Sequence, residues 1–180
     1  GPSSVVKSIY DNGKTHSEII LIFENLVNSI KKNSLNPSIF QASSSEMFKN
    51  NLTGVFNENS ELMGSTPYAN SKINNHIRAK ELFDTHGWKI YSGILFNHES
   101  EFRYSEYLIM QLINSAKKIV SNKGGEFKVG NLDLVRDWSF AGEVVDAISK
   151  IITEGKSSTY VIGSGKGTSI REVVEIIFSE

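Results

Sequence analysis

Tyr68 and Lys72 stand four positions apart in the run Pro67-Tyr-Ala-Asn-Ser-Lys72. On a helix, residues spaced i, i+4 share one face, so this spacing sets an ammonium beside a phenol. A nearby cation favours the phenolate and lowers a pKa that is ~10 when unperturbed. A tyrosine so placed can take or give a proton near neutral pH. The spacing is not specific by itself. Tyr and Lys are common on solvated helix faces, and that bland reading accounts for the pair equally well.

Three further groups carry polar chemistry. Ser43-Ser44-Ser45-Glu46 follows a short apolar run. Hydroxyls and a carboxylate there would sit at the C-terminal end of a strand, where α/β sheets bind their ligands. A hydroxyl could polarise a substrate oxygen, and Glu46 could move a proton at a neighbouring carbon. The alternative is a Ser-rich turn with Glu46 in solvent. Ile94-Leu-Phe-Asn97-His98-Glu99-Ser100 again runs from an apolar stretch into a polar one. In Gly130-Asn-Leu-Asp133 and Arg136-Asp137-Trp138, Arg136 could clamp a phosphate with two parallel hydrogen bonds. Asp137 could equally hold Arg136 in a local ion pair.

The elements that must position these groups alternate in type. Residues 15–32 carry Ile19, Ile20, Ile22, Phe23, Leu26, Val27 and Ile30 at helical spacing. A strand is expected over 37–43, a long loop over 49–66, and a helix from Pro67 to about residue 86, closed by Gly87. Lys89 to Phe96 reads as a strand, 104–121 as a helix, and Phe127-Lys-Val as a short strand. Phe140 to Ile152 reads as a helix, Thr159 to Ile162 as a strand, and Ser169 to Phe178 as a last helix. This alternation predicts an α/β fold with a mostly parallel sheet.

Composition limits the function classes. The chain has 180 residues, 39% hydrophobic and 22% charged, with a net charge of -1. That fits one globular domain with a core of useful size and no basic field for nucleic acid. There is no cysteine, which excludes disulfides and thiolate metal sites and makes a cytoplasmic location the default. The four histidines show no ligand spacing, so no metal is expected. No apolar run approaches the ~20 residues of a membrane helix. No signal peptide is visible, and Gly1-Pro2 reads as the remnant of a cleaved tag. Gly163-Ser-Gly-Lys-Gly-Thr168 has the look of a phosphate loop. The phosphate-loop pattern needs Gly where Tyr160 stands and Ser or Thr where Gly167 stands. The simpler reading is a turn with Thr168 or Ser169 capping a helix and Glu172 in its first turn.

Four blocks taken together are specific. Gln41-Ala-Ser-Ser-Ser-Glu46, Pro67 to Lys72, Gly93 to Ser100 and Gly130 to Trp138 match, in order and spacing, a family pattern of roughly QASTSE, PYxxSK, GILFNHES and GNLDxxRDW. The chain resembles the GDP-mannose 4,6-dehydratases, which are extended short-chain dehydrogenases/reductases. The resemblance is firm from Phe40 to Phe178. It implies a partial Rossmann-like, doubly wound parallel sheet with part of a small sugar-nucleotide domain. On that reading residues 1–180 form a single truncated domain, with 3–125 the second half of the Rossmann-like part and 126–180 mixed with substrate-domain elements.

The resemblance implies a reaction in which bound NADP oxidises C4 of the sugar, water is lost across C5–C6, and hydride returns to C6. By match, Tyr68 takes the C4 hydroxyl proton, while Lys72 binds the nicotinamide ribose and tunes Tyr68. Ser44, where the family has Thr, keeps the hydroxyl. Glu46 moves the protons at C5 and C6, which favours a dehydratase over epimerases and reductases of the same fold. Leu95 and His98 match the stretch that lines the nicotinamide. Asn97 matches a sugar-nucleotide contact and Arg136 a diphosphate contact. The partners implied are a nucleotide sugar, GDP-linked, and further copies of the chain in a homo-oligomer, with no nucleic acid and no membrane.

The chain also departs from the family. Where the family loop reads PRRG, this chain has Glu101-Phe102-Arg103-Tyr104, which leaves Arg103 as the one arginine for the cofactor and NAD as the alternative to NADP. Gln111 stands where the family has a lysine on the nucleotide phosphates. No Gly-rich pyrophosphate turn is present. Ser3-Ser4-Val5 is similar to the end of the family's fourth strand, which leaves the first three strands outside the chain and a long apolar edge to be covered. Two other readings therefore stay open: a non-catalytic remnant or interaction module, and a related nucleotide-sugar epimerase or reductase.

Overall fold

The computed structural model describes residues 5–11, 13–48, 54–121 and 124–179. The chain forms two compact units, residues 1–96 with 145–162 and residues 97–144 with 163–180.

The first unit is built on a parallel sheet in the order β1-β2-β5: β1 (Ile39–Ser44), β2 (Ile90–Leu95) and β5 (Thr159–Ile162). Ser44 lies beside Leu95, and Leu95 beside Ile162, so three strand ends come level. Alternation along β1 and β2 puts Ile39, Ser43, Ile90, Ser92 and Ile94 on one face. Two helices cover that face, α2 (Lys14–Lys32) and α3 (Pro67–His86). In α2 the apolar stripe Ile19, Phe23, Val27 and Ile30 is buried, as its spacing requires. Phe23 and Val27 meet Ala79 and Leu82 of α3 and Ile90 of β2, with Ile39, Phe83 and Trp88 at the margin. Burial of such side chains contributes about 1.5–3 kcal/mol each.

A second cluster lies past the end of β1. Met47, Phe48 and Ile94 are buried with Ile73, Phe96 and Val161 around them. The loop 54–66 is fastened there, since Phe56 stacks on Phe48 at 4.7 Å and Leu62 bridges to Phe48. Glu58 Oε1 accepts the Val161 backbone N–H at 2.8 Å and so occupies a donor of the short strand β5.

The second unit holds a mixed sheet in the order β3-β4-β6. Strand β3 (Asn97–Glu99) runs parallel to β4 (Val135–Phe140), and β6 (Gly167–Ser169) runs antiparallel to β4. Helix α4 (Leu108–Ser121) packs against α6 (Ile170–Ser179). Ser169 and Glu172 form a reciprocal cap at the start of α6. Ser169 N–H donates to Glu172 Oε2 at 2.6 Å, and Glu172 N–H donates to Ser169 Oγ at 3.2 Å. The Ser169 N–H, together with the Ser169 hydroxyl donating to the same Oε2 at 2.7 Å, holds the Glu172 carboxyl below its usual pKa. Helix α5 (Ala141–Glu154) follows β4 directly.

The expected α/β fold with a parallel sheet is what forms, and the helices and strands read around the first unit stand within a few residues of expectation. Three local readings need correction. Val5 opens a helix, α1 (Val5–Tyr10), and does not end a strand; Ser3 and Ser4 lie outside the described residues, as do 49–53 of the long loop. Phe127-Lys-Val is irregular, between Gly125 (φ 138°) and Gly130, and the strand of that region is β4, held by pairing on both sides. Strands β3 and β6, three residues each, are too short to show a period in sequence. Among the described residues no helix is long and apolar enough to cross a membrane.

Candidate active site

Helix α3 begins with a cap that fixes where Tyr68 falls. Thr66 Oγ1 accepts the Ala69 N–H at 3.1 Å and Pro67 occupies the first turn. Tyr68 is 9% exposed, and its backbone N–H donates to Ser8 Oγ at 3.3 Å. One turn on, Lys72 Nζ lies 5.6 Å from the Tyr68 ring centroid, within cation–π range. The same ammonium donates to the Ala42 carbonyl oxygen at 2.8 Å. Burial lowers the Lys72 pKa from its ordinary value. The expected one-face arrangement of this pair is therefore present, and the lysine is also attached to β1.

Strand β1 ends at Ser44, whose extended backbone turns into a 3-10 turn, Ser45–Met47. Ser44 Oγ caps that turn by accepting the Glu46 N–H at 3.3 Å, which leaves the hydroxyl proton available to donate. Met47, fully buried, anchors the turn from below, while Glu46 and Ser44 remain half-buried. The turn packs against α3. Ser44, Glu46, Tyr68, Lys72 and the half-buried Leu95 thus belong to one unit, at or beside the carboxyl ends of parallel strands.

The remaining candidates belong to the second unit. Asn97 and His98 lie on β3, paired in register with Trp138 and Ser139. Arg103 Nε lies 3.3 Å from Glu99 Oε2, and its guanidinium stacks 3.6 Å from the Tyr107 ring centroid. The ion pair is close, but its angle forms no aligned hydrogen bond. Burial raises the Glu99 pKa, against the pull of Arg103 and His98. Arg136, on β4 opposite Thr168, donates from Nη1 to the Val135 carbonyl at 2.9 Å.

Asp137 does not serve as the partner of Arg136. Its carboxylate accepts Ser164 N–H and Oγ–H at 2.8 and 2.7 Å and Gly165 N–H at 2.8 Å. The glycine-rich loop is a concave row of amides already filled by the protein's own anion, which agrees with the plain-turn reading of that segment.

Sequence reasoning passed over one set of residues beside the site. His76 Nδ1 lies 2.8 Å from Ser92 Oγ, and Ser92 Oγ lies 2.9 Å from Ser43 Oγ, all three buried. The available signal was the spacing of Tyr68, Lys72 and His76, each four residues apart on α3. Among the described residues no group of three or more His, Cys, Asp or Glu side chains is placed to hold a metal ion.

The family model for GDP-mannose 4,6 dehydratase matches residues 1–180. The chain is 32% identical over 143 residues to the GDP-mannose 4,6 dehydratase of Drosophila melanogaster, covering 79% of this chain and 36% of that protein. It spans between 26% and 40% of the length of the curated relatives it matches. Among solved structures, RMD from Pseudomonas aeruginosa complexed with NADPH superposes with a TM-score of 0.89 at 21% identity, over 98% of this chain and 62% of that one. The dTDP-glucose 4,6-dehydratase DesIV from Streptomyces venezuelae, with NAD and TYD bound, gives 0.84 at 20% identity, over 99% and 54%. At these identities the two structures speak to the shared Rossmann-like fold. Because the family model matches residues 1–180 of this chain, the chain belongs to the GDP-mannose 4,6 dehydratase family.

Proposed function

We propose that this chain carries the proton-transfer machinery of a nucleotide-sugar 4,6-dehydratase acting on a GDP-linked sugar of the GDP-mannose type. The observation that carries this reading is the packing of the Ser44–Glu46 turn against the helix of Tyr68 and Lys72. That packing brings a hydroxyl, a carboxylate, a phenol and an ammonium into one unit.

Tyr68 takes the proton of the C4 hydroxyl as that carbon is oxidised, with Ser44 donating its free proton to the same oxygen. The Lys72 ammonium favours negative charge on the neighbouring phenol. Glu46 removes the C5 proton and delivers a proton to the departing C6 hydroxyl, so one carboxylate serves both ends of the water loss. The residues present suit a nicotinamide nucleotide. Lys72 has two ammonium protons beyond the one given to Ala42 for ribose hydroxyls, and Leu95 supplies apolar surface at the strand ends. A bound NADP, or NAD, supplies reversible storage of the hydride. By their match to the family, His98 and Arg103 are assigned to the cofactor, and Asn97 and Arg136 to the sugar nucleotide. The NADPH and NAD complexes among the structural neighbours support a nicotinamide cofactor without choosing between the two.

The chain works as a homo-oligomer in the cytoplasm. Leu21, Ile22 and Leu26 of α2 are solvent-exposed, an apolar strip suited to a further copy. Incubation with NADP and GDP-mannose tests the function. Loss of one water from the sugar nucleotide, seen by mass spectrometry, supports it. Oxidation at C4 without loss of water would turn the reading to an epimerase or reductase, and absence of cofactor binding to a non-catalytic module. A monomer in sedimentation would remove the oligomer.

A further inference from the structure

We infer that His76, Ser92 and Ser43 form a buried positioning relay that sets the height of the Tyr68–Lys72 helix against the strand end carrying Ser44. This inference rests on the proposed roles of Tyr68, Lys72 and Ser44.

The relay crosses three elements. His76 is on α3, Ser92 on β2 and Ser43 on β1. Their exposures are 6%, 0% and 4%, and the two links measure 2.8 and 2.9 Å. Ser43 and Ser92 share a sheet face and are diagonal neighbours, since Ser92 stands opposite Gln41 and Ser43 opposite Ile94. Proton accounting works in either direction. If neutral His76 accepts at Nδ1, Ser92 donates to it and accepts from Ser43. If Nδ1 carries the proton, Ser92 accepts it and donates to Ser43. Burial, reinforced by the charge of Lys80, lowers the His76 pKa, consistent with the neutral ring both arrangements use.

The remainder of the α3 contact with the sheet is mainly apolar, through Ala79, Leu82 and Ile73. Apolar contact is non-directional and tolerates small sliding. Hydrogen bonds between buried groups are short and angular and do not. A second tie lies one turn away, where Lys72 reaches the Ala42 carbonyl. Lys72 therefore holds β1 directly at Ala42, while His76, one turn further along the same face of α3, bonds Ser92 of β2 and reaches the adjacent Ser43 through it. The next residue is Ser44. A slip of the helix would change the distance between Tyr68 and the Ser44 hydroxyl, which must meet at one substrate oxygen, while leaving Tyr68 and Lys72 in mutual register.

The experiment compares His76→Phe, His76→Asn and Ser43→Ala in the full chain, by steady-state kinetics and by amide hydrogen exchange at Glu46, whose N–H is bonded to Ser44 Oγ. The expected result for His76→Phe is a fall in kcat of about 10- to 100-fold, the size expected from a small misplacement of reacting groups. KM should stay within about twofold, because the residue acts on geometry and not on ground-state binding. His76→Asn, which returns a polar group near the Nδ1 position, should recover most of the loss, and the Glu46 amide should exchange faster in His76→Phe and Ser43→Ala. Ser43→Ala removes a single oxygen and serves if His76→Phe does not fold. Unchanged kcat in the folded variants, or equal loss in His76→Phe and His76→Asn, would overturn the relay. If the wild-type chain shows no turnover, the proposed function fails; faster Glu46 exchange then still supports the tie, and unchanged exchange overturns it.

Discussion

Lys72 Nζ lies 2.8 Å from the Ala42 carbonyl oxygen, so the cation next to Tyr68 is fastened to β1 two residues before Ser44. Replacing Lys72 by Met keeps the aliphatic stem and removes both the charge and this bond. A lost hydrogen bond of this kind costs about 1 kcal/mol. Relief of the desolvation that depresses the Lys72 pKa opposes that cost. Lys72→Met is therefore expected to stay within about 1 kcal/mol of wild type in urea titration, while turnover falls at least ~100-fold, in the range of general acid–base contributions.

Tyr68→Phe and Glu46→Gln should fail at different steps. Without the phenol, no group takes the C4 proton, and neither reduced cofactor nor dehydrated product should accumulate. Without the carboxylate, C4 oxidation should survive and water loss should stop. Single-turnover absorbance of the reduced nicotinamide, set beside mass spectrometry of the sugar, distinguishes the two. Ser44→Ala, which leaves both groups in place, should lower kcat by about 10- to 100-fold. Identical behaviour of Tyr68→Phe and Glu46→Gln would count against separate roles.

Much of the first unit was legible because its signals are local. The apolar stripe of α2, Pro67 and Gly87 at the ends of α3, and the runs of β1 and β2 each show in a short window. The second unit was less so. Strand β4 contains Arg136, Asp137 and Ser139, a composition with no strand period, and it forms because β3 and β6 pair with it from distant sequence. The Tyr68–Lys72 spacing was visible, whereas the Lys72 contact with Ala42 spans 30 residues and has no local signature. The use of Asp137 by the 163–167 loop was likewise a product of tertiary placement, whereas Arg103 meets Glu99 and Tyr107 at a separation of four residues each, a local spacing that was present in the sequence.

His76 gives an acid-side signature. Its pKa is lowered below 6.5, first by burial and then by Lys80. The unfolded chain therefore takes up the proton first as pH falls. Stability is unaffected by this group above pH 6.5, declines as pH falls from 6.5 towards the folded-state pKa, and levels off below it. His76→Asn should lack this component, so the gap between variant and wild type should narrow or reverse on acidification. Urea midpoints across that interval check it; a pH-independent difference would mean that His76 titrates alike in both states.

Gly93 faces Phe40 at a distance that admits no side chain. A Cβ at Gly93 would lie 2.1 Å from Phe40 Cζ and 2.7 Å from Cε2. The aromatic ring is rigid, so the strand or the ring must move. Gly93→Ala is expected to destabilise by about 1–3 kcal/mol through overpacking, which lowers Tm by about 2–4 °C per kcal/mol at this chain length. Phe40→Leu in the same chain should restore part of the loss, a non-additivity expected only for residues in contact.

Asp137 closes the glycine-rich loop by accepting from Ser164 N, Ser164 Oγ and Gly165 N. Gly165 adopts φ 74°, a left-handed conformation that aims successive amides at one point. Removing the carboxylate leaves these amides to water, because the segment is exposed. The cost is thus smaller than that of an unsatisfied buried group, and Asp137→Ala is expected to lose about 1–2 kcal/mol. Amide exchange at Ser164 and Gly165 should accelerate while the capped start of α6 at Ser169 stays protected. Asp137→Asn retains an acceptor oxygen without the charge and should fall between the two. If exchange at Ser169 rises together with Ser164, the loop and α6 open as one unit, and Asp137 is anchoring the helix as well as the turn.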